Sequence, residues 1–308
     1  MSASHERRRL LLVGGGGGLV GRSVLAEFAP AYQIRSLHRH PTLEESGRSV
    51  EWVRGDAATV TDWAPLLKDV DLVLNVAWYR TGSARVFAPL AQGLLRLVAA
   101  AQAAEVPRFL HISVPDATPS IEAGLPYMTY KRSVDRAIER SGLSYAIVRP
   151  TMLFGPRDKL LSVMLRTMAR YHVFPMFGDG EYHLSPIAVR DLARILYRES
   201  ELDDCHNVTA GGPTRWRYQT LTDEMFGRLG LRPRYVHFSP HGALRLARLL
   251  ERLGSSLLYA YEVEWLLADL LGLPPYEGLD SPLEPVEPFL SAEAVRLRGR
   301  KAAPSGYI

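Results

Sequence analysis

The chain has 308 residues, 47% of them hydrophobic and 23% charged, with a formal net charge of +4 and a pI near 9.2. That composition supports a sizeable core and excludes a globally disordered chain, and a single cysteine, Cys205, excludes an intrachain disulfide and fits a reducing, cytoplasmic compartment. Arginines are dispersed rather than blocked, so the charge pattern does not argue for nucleic acid, and no apolar stretch is expected to reach the length of a membrane span.

In chain order, Leu10, Leu11, Leu12 and Val13 read as a short buried strand. Five glycines follow, Gly14 to Gly18, and then a helical pattern in Val20, Val24, Leu25 and Phe28. Inside the run lies Gly15-x-x-Gly18-x-x-Gly21. A turn of this kind lets backbone N–H groups approach a pyrophosphate at a helix N-terminus, where the helix dipole favours negative charge. A flexible linker would lack the flanking strand and helix, and a secretory h-region needs more than four apolar residues after Arg7, Arg8 and Arg9. Gly14, Gly16 and Gly17 read as permissive filler.

The second strand spans 32–38 and ends in His38-Arg39-His40-Pro41. In a dinucleotide fold an acidic residue at this point binds the 2′-hydroxyl of NAD, whereas a basic one suits the 2′-phosphate of NADP. Arg39 stands there and no carboxylate does, so NADP is expected, with NAD still open. A third strand ends in Gly55-Asp56, a short helix covers 62–68, and a fourth strand covers 71–77. An alanine- and leucine-rich helix over 84–104 should pack on the sheet. A fifth strand covers 108–113, a helix covers 127–141 with Gly142 as its stop, and a sixth strand is closed by Arg149-Pro150.

Strands alternating with helices predict an α/β fold, a Rossmann-type doubly wound parallel sheet. Residues 1–150 form its NAD(P)-binding domain. Residues 151–308 form a smaller C-terminal α/β substrate lobe, interleaved with the Rossmann core. Within it 174–180 reads as a loop, 218–229 as an amphipathic helix, 241–271 as two leucine-rich helices broken near Gly254, and 298–308 as a frayed tail. The leucine-rich pair either covers the core or forms an interface, which leaves a homodimer open.

The second strong feature is Tyr127-Met128-Thr129-Tyr130-Lys131. Residues four apart share a helix face, so the Tyr127 phenol and the Lys131 ammonium can enter one site. A nearby positive charge favours phenolate and lowers the tyrosine pKa toward a useful range for acid–base work. With only four lysines in the chain, a lysine at this spacing is informative. The histidines show no metal-ligand spacing, so no metal is expected, and no Gly-x-Ser-x-Gly elbow marks a hydrolase.

As an ordered set these motifs resemble the short-chain dehydrogenase/reductase superfamily, in its extended and atypical branches. The set also includes Asn75-Val76-Ala77, Phe109-Leu110-His111-Ile112-Ser113, Arg149 through Pro156, Phe177-Gly178-Asp179-Gly180 and Val189-Arg190-Asp191-Leu192-Ala193. The resemblance spans residues 9–235 and is nearest the NAD(P)-dependent epimerase/dehydratase group, including members similar to the NADP-binding accessory subunit of respiratory complex I and to NmrA-like proteins. It implies that Gly15, Gly18 and Gly21, with the backbone of Leu19 and Val20, hold a pyrophosphate. It places Arg39 at the 2′-phosphate, Asp56 at the adenine amino group with Ala57 beside it, and Asn75, Val76 and Ala77 along the adenosine. Tyr127 and Lys131 become the catalytic pair, with Lys131 also reaching the ribose, and Pro150 and Thr151 lie along the nicotinamide.

One departure from the pattern stands out. The hydroxyl that such enzymes place just beyond the fifth strand aligns with Val114, one residue after Ser113, and a one-residue shift on a strand points to the other face. Ser113 is the candidate for orienting the substrate oxygen, with Thr118 and Ser120 as loop alternatives. Substrate-lining candidates are Trp78, Tyr79, Phe154 and Phe177, an aromatic set that suits an apolar or aromatic small molecule and that core packing explains equally well. Two functional readings follow. In one the chain is an NADP-dependent oxidoreductase or epimerase/dehydratase that moves a hydride at a carbonyl or hydroxyl carbon. In the other it is a non-catalytic NADP-binding structural or redox-sensor protein.

Overall fold

The computed structural model describes residues 7–14, 17–39, 50–81, 83–255 and 257–302, which fall into two compact units. The first comprises Met1–Pro150, Val189–Ala210 and Gly278–Asp280. It contains β1 (Arg8–Val13), α1 (Leu19–Phe28), β2 (Tyr32–His38), β3 (Val50–Arg54), α2 (Ala64–Leu67) and β4 (Leu72–Asn75). A 3-10 turn (Ala84–Val86) then runs into α3 (Phe87–Ala103), followed by β5 (Arg108–Ile112), α4 (Pro119–Gly124), α5 (Pro126–Glu139) and β6 (Tyr145–Pro150). The second unit takes β7 (Leu153–Phe154), α6 (Leu161–Tyr171), β8 (Phe174–Phe177), β9 (His183–Leu184) and β10 (Ile187–Ala188). The chain returns to the first unit for α7 (Val189–Ser200) and β11 (His206–Ala210). It ends in the second with β12 (Trp216–Arg217), α8 (Tyr218–Arg228), β13 (Tyr235–Phe238), α9 (Pro240–Arg252), α10 (Ala260–Leu267) and α11 (Val286–Ala302).

A seven-stranded sheet in the order β11-β6-β5-β4-β1-β2-β3, with every pairing parallel, forms the frame of the first unit. Its central strand explains the opening apolar run, because Leu10, Leu11, Leu12 and Val13 are all fully buried, as a strand covered on both faces requires. Strand order reverses between β1 and β4, where Val13 pairs with Asn75 and the Val76 N–H donates to the Val13 carbonyl at 3.0 Å. A doubly wound sheet opens its ligand crevice at such a reversal, beyond the carboxyl ends of the strands. Helix α1 packs beside α7 through Phe28 and Tyr197, whose rings meet edge to face at 5.2 Å.

Helix α3 buries Leu90, Ala91, Leu94, Leu97, Val98 and Ala101. The stretch 84–103 is long and apolar enough to cross a membrane by length and composition alone, contrary to the expectation that no apolar run reaches that length. Burial of this face against the sheet accounts for the apolarity.

Residues 189–210 belong to the first unit, to which they add a helix and an edge strand paired with β6. In the second unit Leu161, Leu165 and Met168 of α6, Met225 and Phe226 of α8, and Leu290 and Ala294 of α11 close one apolar core. Residues 174–177, expected as loop, form β8 paired in parallel with β13, and α11 runs on to Ala302, past the start of the expected tail. The apolar pattern of Phe174, Met176 and Phe177 is a strand signal that Pro175 and the following glycines obscure.

Candidate active site

Gly14, directly after β1, sits at the strand-order reversal. Gly14 has φ +80, its N–H donates to the Leu37 carbonyl at 3.1 Å, and a Cβ built on it would lie 2.5 Å from the Ala77 Cβ. Glycine is therefore required at this position for both conformation and space, which overturns its reading as filler. Gly15 and Gly16 lie outside the described residues. Gly18 is the N-cap of α1 and offers no side chain to the first-turn amides, to which Leu19 and Val20 belong, and Gly21 is buried in that helix. Arg22 braces the turn by donating from Nε to the Gly17 carbonyl at 3.1 Å.

Beyond β3, the Asp56 carboxylate accepts the Ala58 N–H at 2.9 Å and the Tyr79 hydroxyl at 2.9 and 3.0 Å on its two oxygens. Burial and this carboxylate push the Tyr79 pKa up to about 12, so the phenol stays protonated as a donor. The Arg39 guanidinium lies over the Tyr79 ring, 4.8 Å from its centroid. Tyr79, expected on a substrate wall, thus belongs with Asp56 and Arg39. Gly93 of α3 allows the helix to reach the loop here, because a Cβ on it would meet the Ala57 carbonyl oxygen at 1.8 Å.

Across β4 the character of the site changes from backbone to buried charge. Asn75 accepts the Ala77 N–H on Oδ1 at 3.1 Å, which fixes its amide so that Nδ2 donates to His111 Nδ1 at 2.8 Å. His111 is wholly buried, and burial together with the Lys131 charge pulls its pKa down to about 3, so the ring is neutral and carries its proton on Nε2. That nitrogen faces Asp135 Oδ1 at 3.4 Å. The other Asp135 oxygen accepts from Ser113 Oγ at 2.7 Å and Arg132 at 2.8 Å, with Arg149 at 3.4 Å. Although burial opposes ionisation, His111, Ser113 and Arg132 hold this carboxyl below its usual range. Both arginines also reach Asp116, and Arg132 donates to Glu122 at 2.7 Å.

Tyr127 and Lys131 enter from the first two turns of α5. The Lys131 ammonium donates to the Ile112 carbonyl and stands 4.6 Å from the Trp78 ring centroid. Burial pulls its pKa down to about 7, opposed by Asp135. The half-buried Tyr127 ring meets Trp78 edge-on at 5.6 Å and Phe87 at 5.3 Å, and Trp78 lies stacked on Phe87. One indole therefore touches both members of the pair.

Several expectations need correction. The Ser113 hydroxyl is buried and committed to Asp135, so it supports the helix instead of presenting a free donor to substrate. Phe154 and Phe177 are 3% exposed in the core of the second unit, against Phe289 and Phe238, where they pack and do not line an open wall. Thr151 donates its hydroxyl to the Ser185 carbonyl, and Pro150 is buried at the end of β6. Three residues escaped the sequence: Gly14, His111 and Asp135. Only Asp135 left a signal there, four residues beyond Lys131 on the same helix face.

The sequence model of the NAD(P)H-binding family matches residues 15–167. The fold of the chain is shared with a nucleoside-diphosphate-sugar epimerase from Staphylococcus aureus, at 16% identity and a TM-score of 0.73, over 91% of this chain and 99% of that one. It is likewise similar to a UDP-glucuronic acid 4-epimerase from Bacillus cereus solved in complex with NAD, at 17% identity and a TM-score of 0.66, over 94% and 99%. The NAD-dependent NDP-hexosamine 5,6-dehydratase of tunicamycin biosynthesis matches at 17% identity and a TM-score of 0.61, over 75% and 84%. No protein of curated function matches the sequence significantly. The NAD(P)H-binding match over residues 15–167 thus lies within a fold that this chain shares with these epimerases and this dehydratase.

Proposed function

We propose that the protein is an NADP-dependent oxidoreductase or epimerase/dehydratase acting on a small molecule at a carbonyl or hydroxyl carbon. One observation carries this reading: Tyr127 and Lys131 meet the same Trp78 ring, although they descend from different turns of α5. The residues fit the cofactor. Gly14 lets Ala77 close against the turn where a Cβ would collide with it, the start of α1, which has no side-chain cap, offers N–H groups from Leu19 and Val20, and Asp56 with Ala57 would read the adenine edge. Asn75, Val76 and Ala77 border this cradle, and Pro150 and Thr151 would follow the nicotinamide. When bound, the nicotinamide takes up and returns a hydride. Tyr127 moves the proton at its phenol oxygen. Lys131 favours phenolate when charged, and the aromatic wall of Trp78 and Phe87 excludes water and suits an apolar or aromatic substrate.

Arg39 supports NADP over NAD, since its guanidinium lies exposed at the end of β2 and rests on Tyr79. Arg39→Ala should cut the preference for NADPH over NADH, read by fluorescence titration, by about tenfold, the worth of a charge-assisted contact. An unchanged preference would remove the NADP assignment. The non-catalytic reading is favoured by the Ser113 hydroxyl being committed to Asp135, which leaves substrate orientation without that donor. A panel of UDP-sugars and aromatic carbonyl compounds, assayed for NADPH oxidation and for epimerised or dehydrated product, separates the two. Tyr127→Phe should abolish any turnover found, and a panel without turnover at any pH, despite tight NADPH binding, would favour the binder.

A further inference from the structure

Helix α9 has an outward face of unusual composition. It starts at Ser239, whose hydroxyl accepts the Gly242 N–H at 3.2 Å, and turns Ala243 and Ala247 into the core of the second unit. The opposite side of such a helix normally carries polar groups alone. Here Arg245, Leu249 and Arg252 follow one another at i, i+4 and i+7 on the solvent side, flanked by Arg248 and Leu253. Leu249 is 52% exposed and Leu253 73%, and Leu257, just past the helix, is 48% exposed.

The charge is one-sided. Glu251 is the only carboxylate of the helix, and its Oε1 is turned inward to accept the Ala260 N–H at 2.7 Å, capping the neighbouring α10. Glu264, 3.9 Å from Arg248, is the acidic neighbour from the element packed alongside. The face thus presents three guanidinium groups around exposed leucines. Packing this face on its own copy about a two-fold axis would bring arginines against arginines, which costs energy. An anionic bilayer satisfies both features, since leucines enter the headgroup boundary while arginine stems lie along it and their heads meet phosphates.

We propose that the outward face of α9 docks the protein on an anionic phospholipid surface. This contact lies in the interfacial plane and involves no spanning helix. It is independent of the cofactor site, so it stands or falls apart from the proposed activity.

The test is cosedimentation of the full chain with vesicles of phosphatidylcholine containing phosphatidylglycerol, against phosphatidylcholine alone, with light scattering of the free protein. Binding to the anionic vesicles only, weakened by salt, is expected. Arg245→Gln, Arg248→Gln and Arg252→Gln together should weaken it by about a hundredfold, at about fivefold for each arginine near a charged surface. Leu249→Glu with Leu253→Glu should reduce it to background. These solvent-facing changes should leave the melting temperature and NADPH binding unaltered. Equal binding to both vesicle types, binding that survives the leucine or arginine variants, or no vesicle binding would each overturn the proposal. So would a dimer of the wild type that the leucine variant converts to monomer without vesicle binding, because the face would then serve a second copy.

Discussion

The two sides of the strand-order reversal are built by different physics. On the β1–β2 side the cradle consists of backbone, missing Cβ atoms and a single carboxylate, with Gly14 and Asp56 as its fixed points. On the β5–β6 side the support is a buried ionic cluster in which Asp135 gathers Ser113, Arg132, Arg149 and His111 under the helix that carries Tyr127 and Lys131. The first side needs space and tolerates little bulk. The second needs charge balance and tolerates little neutralisation. A shape-built cradle suits a ligand held the same way throughout, whereas a charged underpinning suits a helix whose residues must exchange protons.

The largest expected effect falls on the charged side. Asp135→Asn leaves two buried guanidinium groups facing a neutral amide, and breaking such a buried arrangement costs about 3–5 kcal/mol. Urea denaturation checks it, and a loss under about 1 kcal/mol would mean that Asp116 and Glu122 suffice to balance the arginines. Gly14→Ala comes next on the shape-built side. A positive-φ alanine costs about 1–2 kcal/mol before its collision with Ala77 is counted. NADPH affinity should fall more steeply than the melting temperature, because the cradle itself shifts, and an unchanged affinity would uncouple Gly14 from the cofactor.

Acid separates the two sides more gently. The His111 pKa is depressed from the ordinary 6.5 to about 3, so between these values the unfolded chain binds the proton that the folded chain refuses. Stability attributable to His111 is therefore present above pH 6.5 and lost as pH falls toward 3. The depressed Asp135 carboxyl acts in the same direction, its stabilisation fading as pH falls below its ordinary range. Lys131, depressed to about 7, adds a rise in stability from that pH toward 10.5. Urea midpoints across the pH range, compared between wild type and His111→Gln, should show a shallower acid slope in the variant, and identical slopes would place the acid sensitivity elsewhere.

How much of this was legible from the sequence follows the same division. The central strand, the glycine turn, the Gly55-Asp56 corner and the Tyr127–Lys131 spacing are all local patterns, and the structure places each at the carboxyl end of the sheet or on the expected helix. The ionic cluster was hidden because its members lie on β5 and just beyond it, on α5 and on β6, so that no window of sequence contains them together. Ser113 misled for a related reason, since its identity suggests a donor and only the distant Asp135 reveals where that donor goes. Tyr79 follows a strand toward one expected wall and is drawn by Asp56 to another. Phe154 and Phe177 carry the aromatic character of a pocket and are used as core.

On this reading the charged side performs chemistry on what the shape-built side holds. Tyr127→Phe tests it most directly, with NADPH binding and substrate-dependent NADPH turnover measured on the same preparation. Binding should stay within about twofold of wild type while turnover falls by about a hundredfold or more, the scale of a lost acid–base group. Full turnover in the variant would contradict the claim.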